Sequence, residues 1–434
     1  MERRTFLLGA GLALGARGAA SAASANDQVG IGVIGIGGRG RDHLKYYSKL
    51  PQARVVALCD VNTAQTERGA KIVENLQGAK PQVYQDLRKM FEDKSVDAVS
   101  IATPNHWHSL ATIWACQAGK DVYCEKPACY NIFEGEQMVR AAREHGRMVQ
   151  IGMQSRSLAH KQRAVELLRS GAIGKVYMAR GICFKRRKSI GRTPAQPVPA
   201  GLDWDLFLGP APMREYTLNR YQYNWHWFWD TGNGDIGNQG IHEMDIARWG
   251  LGRDLPKGAV STGGKYVYDD DQETPNTQIA TLDYGDAELV FEVRGLNTGG
   301  EPGIQAGGTN FVGVTFFGSD GFMPVDEHGF EIFLGDKREP GEAMKPREHE
   351  IDDTVPHMAN FLKAVKSRST ADLTADVQVG VTSAELVHMA NISYRLGRKL
   401  QFDAATGSFA GDPEANAMRS RPAYRAPYVV PTSG

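Results

Sequence analysis

The 434-residue sequence has few cysteines, no excess of either charge and no long hydrophobic run beyond its first 25 residues. Its five cysteines have no zinc-like pairing, and their odd number argues against a full disulfide framework. We interpret Cys59 and Cys124 as small buried hydrophobic residues. Fifty basic and fifty acidic residues give no bulk charge that would attract nucleic acid or an anionic membrane. No later apolar run is long enough to span a bilayer.

Residues 1–25 have the three parts of a twin-arginine signal peptide. Arg3 and Arg4 precede an apolar run broken by glycines, and Ala23-Ser24-Ala25 forms an A-x-A cleavage site. A disordered basic tail is the alternative, but it does not explain the order of the three parts. The sequence therefore predicts export to the periplasm. Because this route transports folded proteins, a nucleotide would be acquired in the cytoplasm and retained.

The stretch from Val29 to Asp60 has the pattern of a dinucleotide-binding unit. An apolar strand leads into Gly35-Ile36-Gly37-Gly38-Arg39-Gly40, then into a helix and a second apolar strand that ends at Asp60. In this pattern the glycines allow the sharp turn, the approach of a pyrophosphate and close packing of helix on strand, and the acid binds the adenosine ribose. The acid favours NAD, while Arg39 leaves NADP possible because a guanidinium can accommodate the extra phosphate.

Strands and helices alternate from residue 26 to 152, which predicts a Rossmann domain with a doubly wound parallel sheet. Ligands bind beyond the carboxyl ends of such strands. The residues expected there are Thr103, Asn105, His108, Glu125, Lys126 and Gln154. Asn105 is also predicted to cap the helix that follows.

Residues 153–403 predict a second α/β domain with a large, mostly antiparallel open sheet. Two pairs of strands follow each other without a helix between them, which indicates hairpins. Residues 186–200 are basic and proline-rich, and we interpret them as a loop over the site. Residues 404–434 lack periodicity and are predicted to form an extended arm.

Two positions are candidates for proton chemistry. Lys126 lies between Glu125 and Pro127 at a strand end, where a cation could polarise a substrate oxygen. A surface lysine is the alternative. His242 is a natural general base at neutral pH, although a single histidine is often a core residue.

The segment around His242 reads as a helix that starts at Asn238 and is closed by Gly250. Asn238, His242, Asp245 and Trp249 then fall on one stripe, and three polar members suggest that the stripe faces a cleft. The neighbouring segment from Tyr221 to Asp230 is dense in aromatic residues. If extended, it would present two faces.

Aromatic rings beside polar donors suit a carbohydrate, so we expect a sugar-like substrate. An aromatic core or a subunit contact explains the same pattern equally well. The predicted substrate-binding residues are Gln154, Arg156, His226, Asp230 and Asp245.

Four motifs together resemble the glucose-fructose oxidoreductase / inositol dehydrogenase / rhizopine-catabolism (Gfo/Idh/MocA) family. They are the glycine turn, Thr103-Pro104-Asn105-His106-Trp107-His108, Glu125-Lys126-Pro127 and Gly240-Ile241-His242-Glu243-Met244-Asp245. The resemblance implies NAD(P)-dependent oxidation or reduction of sugars and cyclitols, with Lys126 and His242 as catalytic residues. It also implies a homo-oligomer, a dimer or tetramer, formed through the open sheet.

One catalytic position departs from the family pattern. Many members have an aspartate four residues before the histidine, and here that residue is Asn238. An amide cannot stabilise an imidazolium as a carboxylate does, and Asp235 or Asp245 could compensate. We therefore expect a sugar, glycoside or cyclitol oxidoreductase with tightly bound NAD. A glycoside hydrolase that uses transient oxidation, or a non-catalytic sugar-binding protein, remains an alternative.

Overall fold

The computed structural model describes residues 28–347 and 354–432. The predicted signal peptide and its cleavage site lie outside these residues. Within the described ranges the chain contains a six-stranded parallel sheet and an eleven-stranded mixed sheet. A search of the same residues for a helix long and apolar enough to cross a membrane finds none.

The first sheet is the predicted Rossmann sheet, with strand order β3-β2-β1-β4-β5-β6. Its strands are β1 (Val29–Ile34), β2 (Ala53–Cys59), β3 (Gln82–Tyr84), β4 (Ala98–Ile101), β5 (Asp121–Cys124) and β6 (Val149–Ile151). The helices between them are α1 (Arg39–Lys49), α2 (Thr63–Gln77), α3 (Leu87–Phe91), α4 (Asn105–Gln117) and α5 (Ile132–Glu144). The strand order reverses between β1 and β4, which places a crevice at their carboxyl ends.

Local sequence explains most of these boundaries. Every residue of β1 is buried, as expected for a central parallel strand. The side chain of Asn62 accepts a hydrogen bond from the Ala64 amide and caps α2. The prediction that Asn105 caps α4 is wrong: Pro104 is the cap residue, and the Asn105 amide instead donates to Asn233 Oδ1 at 2.9 Å.

The second sheet is mostly antiparallel, as predicted, and runs β15-β14-β13-β12-β7-β10-β9-β8-β16-β17, with β11 paired to β12. Its longer strands are β7 (Val176–Phe184), β8 (Gly258–Gly264), β9 (Thr277–Asp283), β10 (Glu288–Arg294), β12 (Asn310–Gly318), β13 (Gly321–Asp326), β14 (Gly329–Leu334) and β15 (Glu339–Met344). The short strands are β11 (Ala306–Gly307), β16 (Leu400–Asp403) and β17 (Ser408–Phe409).

Three helices of this half, α6 (Ala159–Arg169), α9 (Gly240–Leu251) and α11 (Val377–Leu396), pack on the sheet. The remaining helices are α7 (Trp204–Leu208), α8 (Gly234–Asn238), α10 (Thr354–Ser367) and α12 (Pro413–Ala417). The rings of Phe291 and Phe316 lie directly against Gly240 and Gly250 of α9, where a Cβ would clash. This close approach fixes α9 on the inner face of the sheet.

Two predictions for residues 221–250 are wrong. The segment around His242 is two helices, because the chain turns at Gln239 between α8 and α9. Gly250 lies inside α9, and the left-handed residue that ends the helix is Gly252. The aromatic segment is not extended, since residues 224–227 form a 3₁₀ turn closed by backbone hydrogen bonds such as Phe228 to Trp225.

The C-terminal segment, which the sequence predicts to be an extended arm, contains the short elements β17 and α12. It folds back on the first sheet's helices, where Tyr428 is buried edge-on against Trp107 with ring centroids 5.6 Å apart. Arg421 stacks over the Tyr130 ring at 3.8 Å and pairs with the buried Glu134. Aromatic and arginine side chains, which do not need a repeating pattern, anchor this segment.

Candidate active site

A cavity of about 850 Å³ lies at the carboxyl ends of β1 and β4, between the Rossmann sheet and the helices of the second half. The predicted site residues that line it are Gly35, Gly37, Arg39, Asp60, Thr103, Asn105, His108, Glu125, Lys126, Gln154, His226, Asn238 and His242. The structure therefore brings the glycine turn, the lysine and the helical histidine to one cavity. The loop at residues 186–200 is confirmed as a loop, but no described residue of it lines the cavity.

The glycine turn fits a dinucleotide. Gly35 has φ +81°, and a Cβ there would lie 2.7 Å from the Ala102 carbonyl oxygen. A Cβ at Gly40 would overlap the Gly35 carbonyl, which gives this glycine a packing role between helix and strand. At Gly37 and at Gly38, apart from the glycine itself and its two chain neighbours, no atom of the described chain lies within 4 Å of an added Cβ. This open space above the turn at the start of α1 is where a diphosphate would bind.

We expect Gly37→Val to leave the fold intact and to reduce the amount of nucleotide that copurifies with the protein, because the side chain would occupy the diphosphate position. Gly40→Ala is expected to lower the free energy of unfolding by about 1–3 kcal/mol through overpacking. Nucleotide absorbance after denaturation and thermal unfolding measure the two effects separately. Equal nucleotide content in wild type and Gly37→Val would contradict the assignment.

Asp60 is positioned by the turn that it follows. Its carboxylate accepts hydrogen bonds from the Ile36 amide at 2.6 Å and from the Asn62 amide at 2.9 Å. Burial raises its pKa to about 6, against the effect of these two hydrogen bonds. Ile36 holds Asp60 through its backbone amide, because its side chain is fully buried. Both oxygens of Asp60 keep lone pairs for ribose hydroxyls.

Glu125 is the centre of a polar network in the wall of the cavity. Its Oε1 contacts Arg39 Nε at 3.0 Å, His43 Nε2 at 3.1 Å and Gln154 Nε2 at 2.9 Å. Burial alone would raise the pKa of Glu125, but Arg39 and His43 hold it well below its usual range. Gln154 also donates to Tyr123 Oη at 3.0 Å. Glu125 therefore fixes the strand end from which Lys126 projects.

Lys126 reaches across to the second half of the chain. Its Nζ donates a hydrogen bond to the Asn238 carbonyl oxygen at 2.7 Å. Burial lowers the pKa of Lys126, Glu125 opposes this effect, and Arg39 and Lys185 add to it. The backbone around it is held by His108, whose ring nitrogens contact the carbonyl oxygens of Pro127 at 2.7 Å and Thr103 at 2.9 Å.

His242 projects from α9 into the same cavity. Burial, followed by the charge of Lys126, holds its pKa well below its usual range, which favours the neutral ring. Asp235 and Asp245 are the two carboxylates that could have compensated for Asn238. Neither of them forms an ion pair with His242. Asp235 is held by Arg187 at 2.7 Å, and the Asn238 amide donates to Tyr223 Oη at 2.9 Å.

Arg156 and Asp245, predicted to bind substrate, are paired with each other. Arg156 Nε and Nη2 donate to the two Asp245 oxygens at 2.7 and 2.9 Å, and the guanidinium stacks on Trp249 at 4.7 Å. Both residues are buried, and neither lines the cavity. The predicted polar stripe is therefore split, with His242 facing the cavity and Asp245 facing Arg156.

Some residues of the aromatic segment line the cavity. His226 lines the cavity and stacks on Trp225 with ring centroids 3.5 Å apart, and burial lowers its pKa to about 3. Asp230 does not line the cavity and pairs with Arg214 at 2.7 Å. Binding roles for both residues stay predictions.

The sequence analysis did not single out every cavity residue, and those it missed include Lys161, Tyr223, Gln239 and Glu243. Tyr223 belongs to the aromatic segment, and Glu243 directly follows His242, so both were visible within motifs. Lys161 has no local signal, because α6 reaches the cavity only through tertiary packing.

Comparison with known proteins identifies both halves of the chain. The family described as "Oxidoreductase family, NAD-binding Rossmann fold" matches residues 29–153. Its companion, "Oxidoreductase family, C-terminal alpha/beta domain", matches residues 171–273 and 338–430. Both are parts of the Gfo/Idh/MocA family, and together they cover most of the chain.

Inositol 2-dehydrogenase from Serratia proteamaculans is 35% identical over 164 residues, covering 37% of this chain and 47% of the relative. A 2,7-anhydro-N-acetylneuraminate hydratase from Mediterraneibacter gnavus is 27% identical over 271 residues, covering 60% of this chain and 62% of the relative. These matches span about half of each relative's length. A solved levoglucosan dehydrogenase in complex with NADH and levoglucosan has the same fold, with TM-score 0.67 and 16% identity, covering 86% of this chain and 99% of that one.

Proposed function

Because this chain belongs to the Gfo/Idh/MocA oxidoreductase family and contains its NAD-binding domain, we propose that it oxidises or reduces a hydroxyl of a sugar, glycoside or cyclitol with tightly bound NAD. NADP stays possible through Arg39. The observation that supports this proposal is that Lys126, His242 and the glycine turn line one cavity.

The cavity residues suit proton removal from a substrate hydroxyl. Neutral His242 can accept the proton, and the Lys126 N–H groups not used by the Asn238 carbonyl can stabilise the developing alkoxide. When bound, NAD supplies the acceptor for the carbon-bound hydride. Tyr223 receives hydrogen bonds from Asn238 and Arg187 at its Oη, which leaves its own O–H free to face the substrate.

The test begins with the purified mature protein. Mass and absorbance of the nucleotide released on denaturation identify the cofactor, and we expect NAD in near-stoichiometric amount. Incubation with myo-inositol or levoglucosan deuterated at the carbinol carbons should then transfer deuterium to the bound nicotinamide. A protein that binds these compounds but transfers no deuterium would be the non-catalytic sugar-binding alternative.

A second candidate is a reaction without net redox change. The similarity to a hydratase favours it, because the addition of water to a substrate involves no net oxidation or reduction. This alternative is a glycoside hydrolase, and incubation with aryl glycosides separates it from a dehydrogenase. Release of the aglycone without added NAD supports hydrolysis. A carbonyl product supports the dehydrogenase.

We also propose that the protein is exported with its cofactor bound. Replacing Arg3 and Arg4 by lysine should leave the full-length precursor in the cytoplasm, because the twin-arginine route reads this pair. The wild type should appear in the periplasm with Asn26 at its N-terminus. Cell fractionation with N-terminal mass analysis measures both, and a wild type that keeps Met1 would contradict the proposal.

A homo-oligomer is proposed to form through the outer face of the second sheet. The helices α6, α9 and α11 contact the inner face, whereas Val260, Ile279 and Val290 of adjacent strands lie on the outer one. Ile279 is 45% exposed. A second copy would bury this surface.

Ile279→Asp should reduce the mass measured by light scattering to that of a monomer, because a buried unpaired charge is costly. Leu76→Asp, a similarly exposed aliphatic residue on α2, is the matched control and should leave the mass unchanged. A wild type that is already monomeric would exclude this interface.

A further inference from the structure

One wall of the cavity comes from the second half of the chain and lies beside the predicted ribose ligand Asp60. It is formed by residues 201–221, which include α7 and which we call the clasp. Leu206 and Tyr221 of the clasp are half-buried, so a ligand in the cavity can contact their accessible surface. The clasp residues that line the cavity are Leu206, Phe207 and Tyr221.

Backbone hydrogen bonds join the clasp to the chain directly after Asp60. The Asp203 amide donates to the Val61 carbonyl oxygen at 2.9 Å. The Thr63 amide donates to the Gly201 carbonyl oxygen at 3.0 Å. In a Rossmann domain the acid at the end of this strand binds the adenosine ribose. These bonds therefore place the clasp next to the adenosine half of a bound dinucleotide.

The clasp also has an apolar cluster of its own. Asn62 pairs with Leu202 in an isolated antiparallel bridge and donates from Nδ2 to Tyr221 Oη at 3.0 Å. Inside the clasp the rings of Trp204 and Phe207 stack with centroids 4.8 Å apart. A segment with a small separate core can open as one unit. The buried members of the cluster are Leu202, Trp204, Phe207, Leu208 and Tyr216.

The C-terminal segment holds α7 of the clasp through a set of contacts that we call the latch. Arg425 pairs with the Asp205 carboxylate, and its Nη2 donates to the carbonyl oxygens of Asp205 at 3.0 Å and Gly209 at 2.9 Å. Tyr428 Oη donates to Asp205 Oδ2 at 2.9 Å, and its ring is buried against Trp107. Neither Arg425 nor Tyr428 lines the cavity. The latch can therefore hold the clasp without contacting a nucleotide.

We propose that the clasp covers the adenosine half of bound NAD, and that the nucleotide enters and leaves only when the latch opens. The inference rests on the tightly bound NAD of the proposed function and supplies a structural reason for its retention. Leu206 and Tyr221 are then binding residues for the cofactor. Arg425 and Tyr428 are positioning residues, because they act on the nucleotide only through α7.

Binding kinetics distinguish a latch residue from a residue that contacts the nucleotide. Loss of a direct contact raises the dissociation rate and Kd together. Loss of a latch contact makes opening easier in the free and in the loaded protein alike. The association and dissociation rates should then rise by a similar factor, and Kd should change little, because the latch has no differential interaction with the nucleotide.

The experiment compares wild type, Arg425→Met and the matched control Arg398→Met, each loaded with NAD. Arg398 pairs with Asp412 and Glu414, outside the clasp. Exchange of bound NAD for an excess of isotopically labelled NAD measures dissociation, and NADH fluorescence after mixing with nucleotide-stripped protein measures association. In Arg425→Met both rates should rise about 10-fold or more, the range expected for lost hydrogen bonds to a charged group, with Kd within about threefold of wild type. Arg398→Met should exchange like wild type.

Thermal unfolding shows whether each variant is folded. Trp107 Nε1 still donates to the Leu206 carbonyl oxygen, at 3.0 Å in the structure, so Arg425→Met should loosen the clasp without detaching it. If this variant does not fold, Tyr428→Phe removes a single hydroxyl and should raise both rates about 3-fold. Exchange at the wild-type rate in a folded variant would overturn the latch, as would faster dissociation with an equal rise in Kd.

These outcomes are separate from the test of the proposed function. A protein that retains NAD but transfers no deuterium from a sugar would overturn the oxidoreductase and leave the latch standing. Deuterium transfer together with unchanged exchange in the variants would overturn the latch alone. A protein that binds no NAD would overturn both.

Discussion

Lys126→Met is expected to lower kcat for polyol oxidation by about 10³-fold, within the range observed for loss of an electrostatic or acid–base group. Methionine keeps much of the side-chain volume but removes the cation that would stabilise the alkoxide. The hydrogen bond to the Asn238 carbonyl is lost as well. Pre-steady-state deuterium transfer to the bound nicotinamide measures the step directly.

The nucleotide content of Lys126→Met should stay close to that of wild type, because the glycine turn and Asp60 do not contact this ammonium group in the structure. Lys71→Met, an exposed lysine on α2, is the control for removal of one positive charge. A Lys126→Met protein with unchanged kcat would remove Lys126 from the catalytic assignment.

His242→Asn should lower kcat by about 10²–10⁴-fold, because it removes the proposed base. The pH profile gives a second measurement. Burial holds the pKa of His242 well below 6.5, so wild-type kcat/KM should remain high below that pH and fall only when the ring becomes protonated. The acid limb should disappear in His242→Asn.

Asn238→Asp tests the same assignment in the opposite direction. A carboxylate near His242 would stabilise the imidazolium and raise the pKa of the ring, so the acid limb should move to higher pH. Arg156→Met should move the acid limb in the same direction and also lower stability, because it leaves the buried Asp245, whose charge raises the pKa of His242, without its partner. An unchanged acid limb in His242→Asn would show that another group acts as the base.

Much of the first half could be predicted because its signals are local. Within 32 residues the chain forms the buried strand β1, the glycine turn and the strand β2 that ends at an acid. Each of these features is explained by the residues that form it. The hairpin β9–β10 agrees with the prediction that strands of the second half follow each other without a helix between them. The separate glycine roles at Gly35 and Gly40 follow from the same local geometry.

Several of the errors share one cause, which is that the deciding partner lies far away in sequence. Asp245 has the same helical spacing whether it faces a cleft or Arg156, and only packing of α9 against residue 156 decides between them. The tail has no periodicity, yet Tyr428 and Arg421 bury against Trp107 and Tyr130. The sequence predicted that Gly250 ends the helix. In the structure Gly250 lies inside α9, because the ring of Phe316 occupies the space that a side chain at this position would need.

Residue types at short, fixed spacings were enough to predict the family, the glycine turn and the candidate catalytic lysine and histidine. That Lys126 and His242 share a cavity, and that Arg156 and Asp245 pair behind it, depends on tertiary packing. Burial and charge at a position depend on which distant segments fold against it, and these contacts exist only once the two sheets and their helices have packed together.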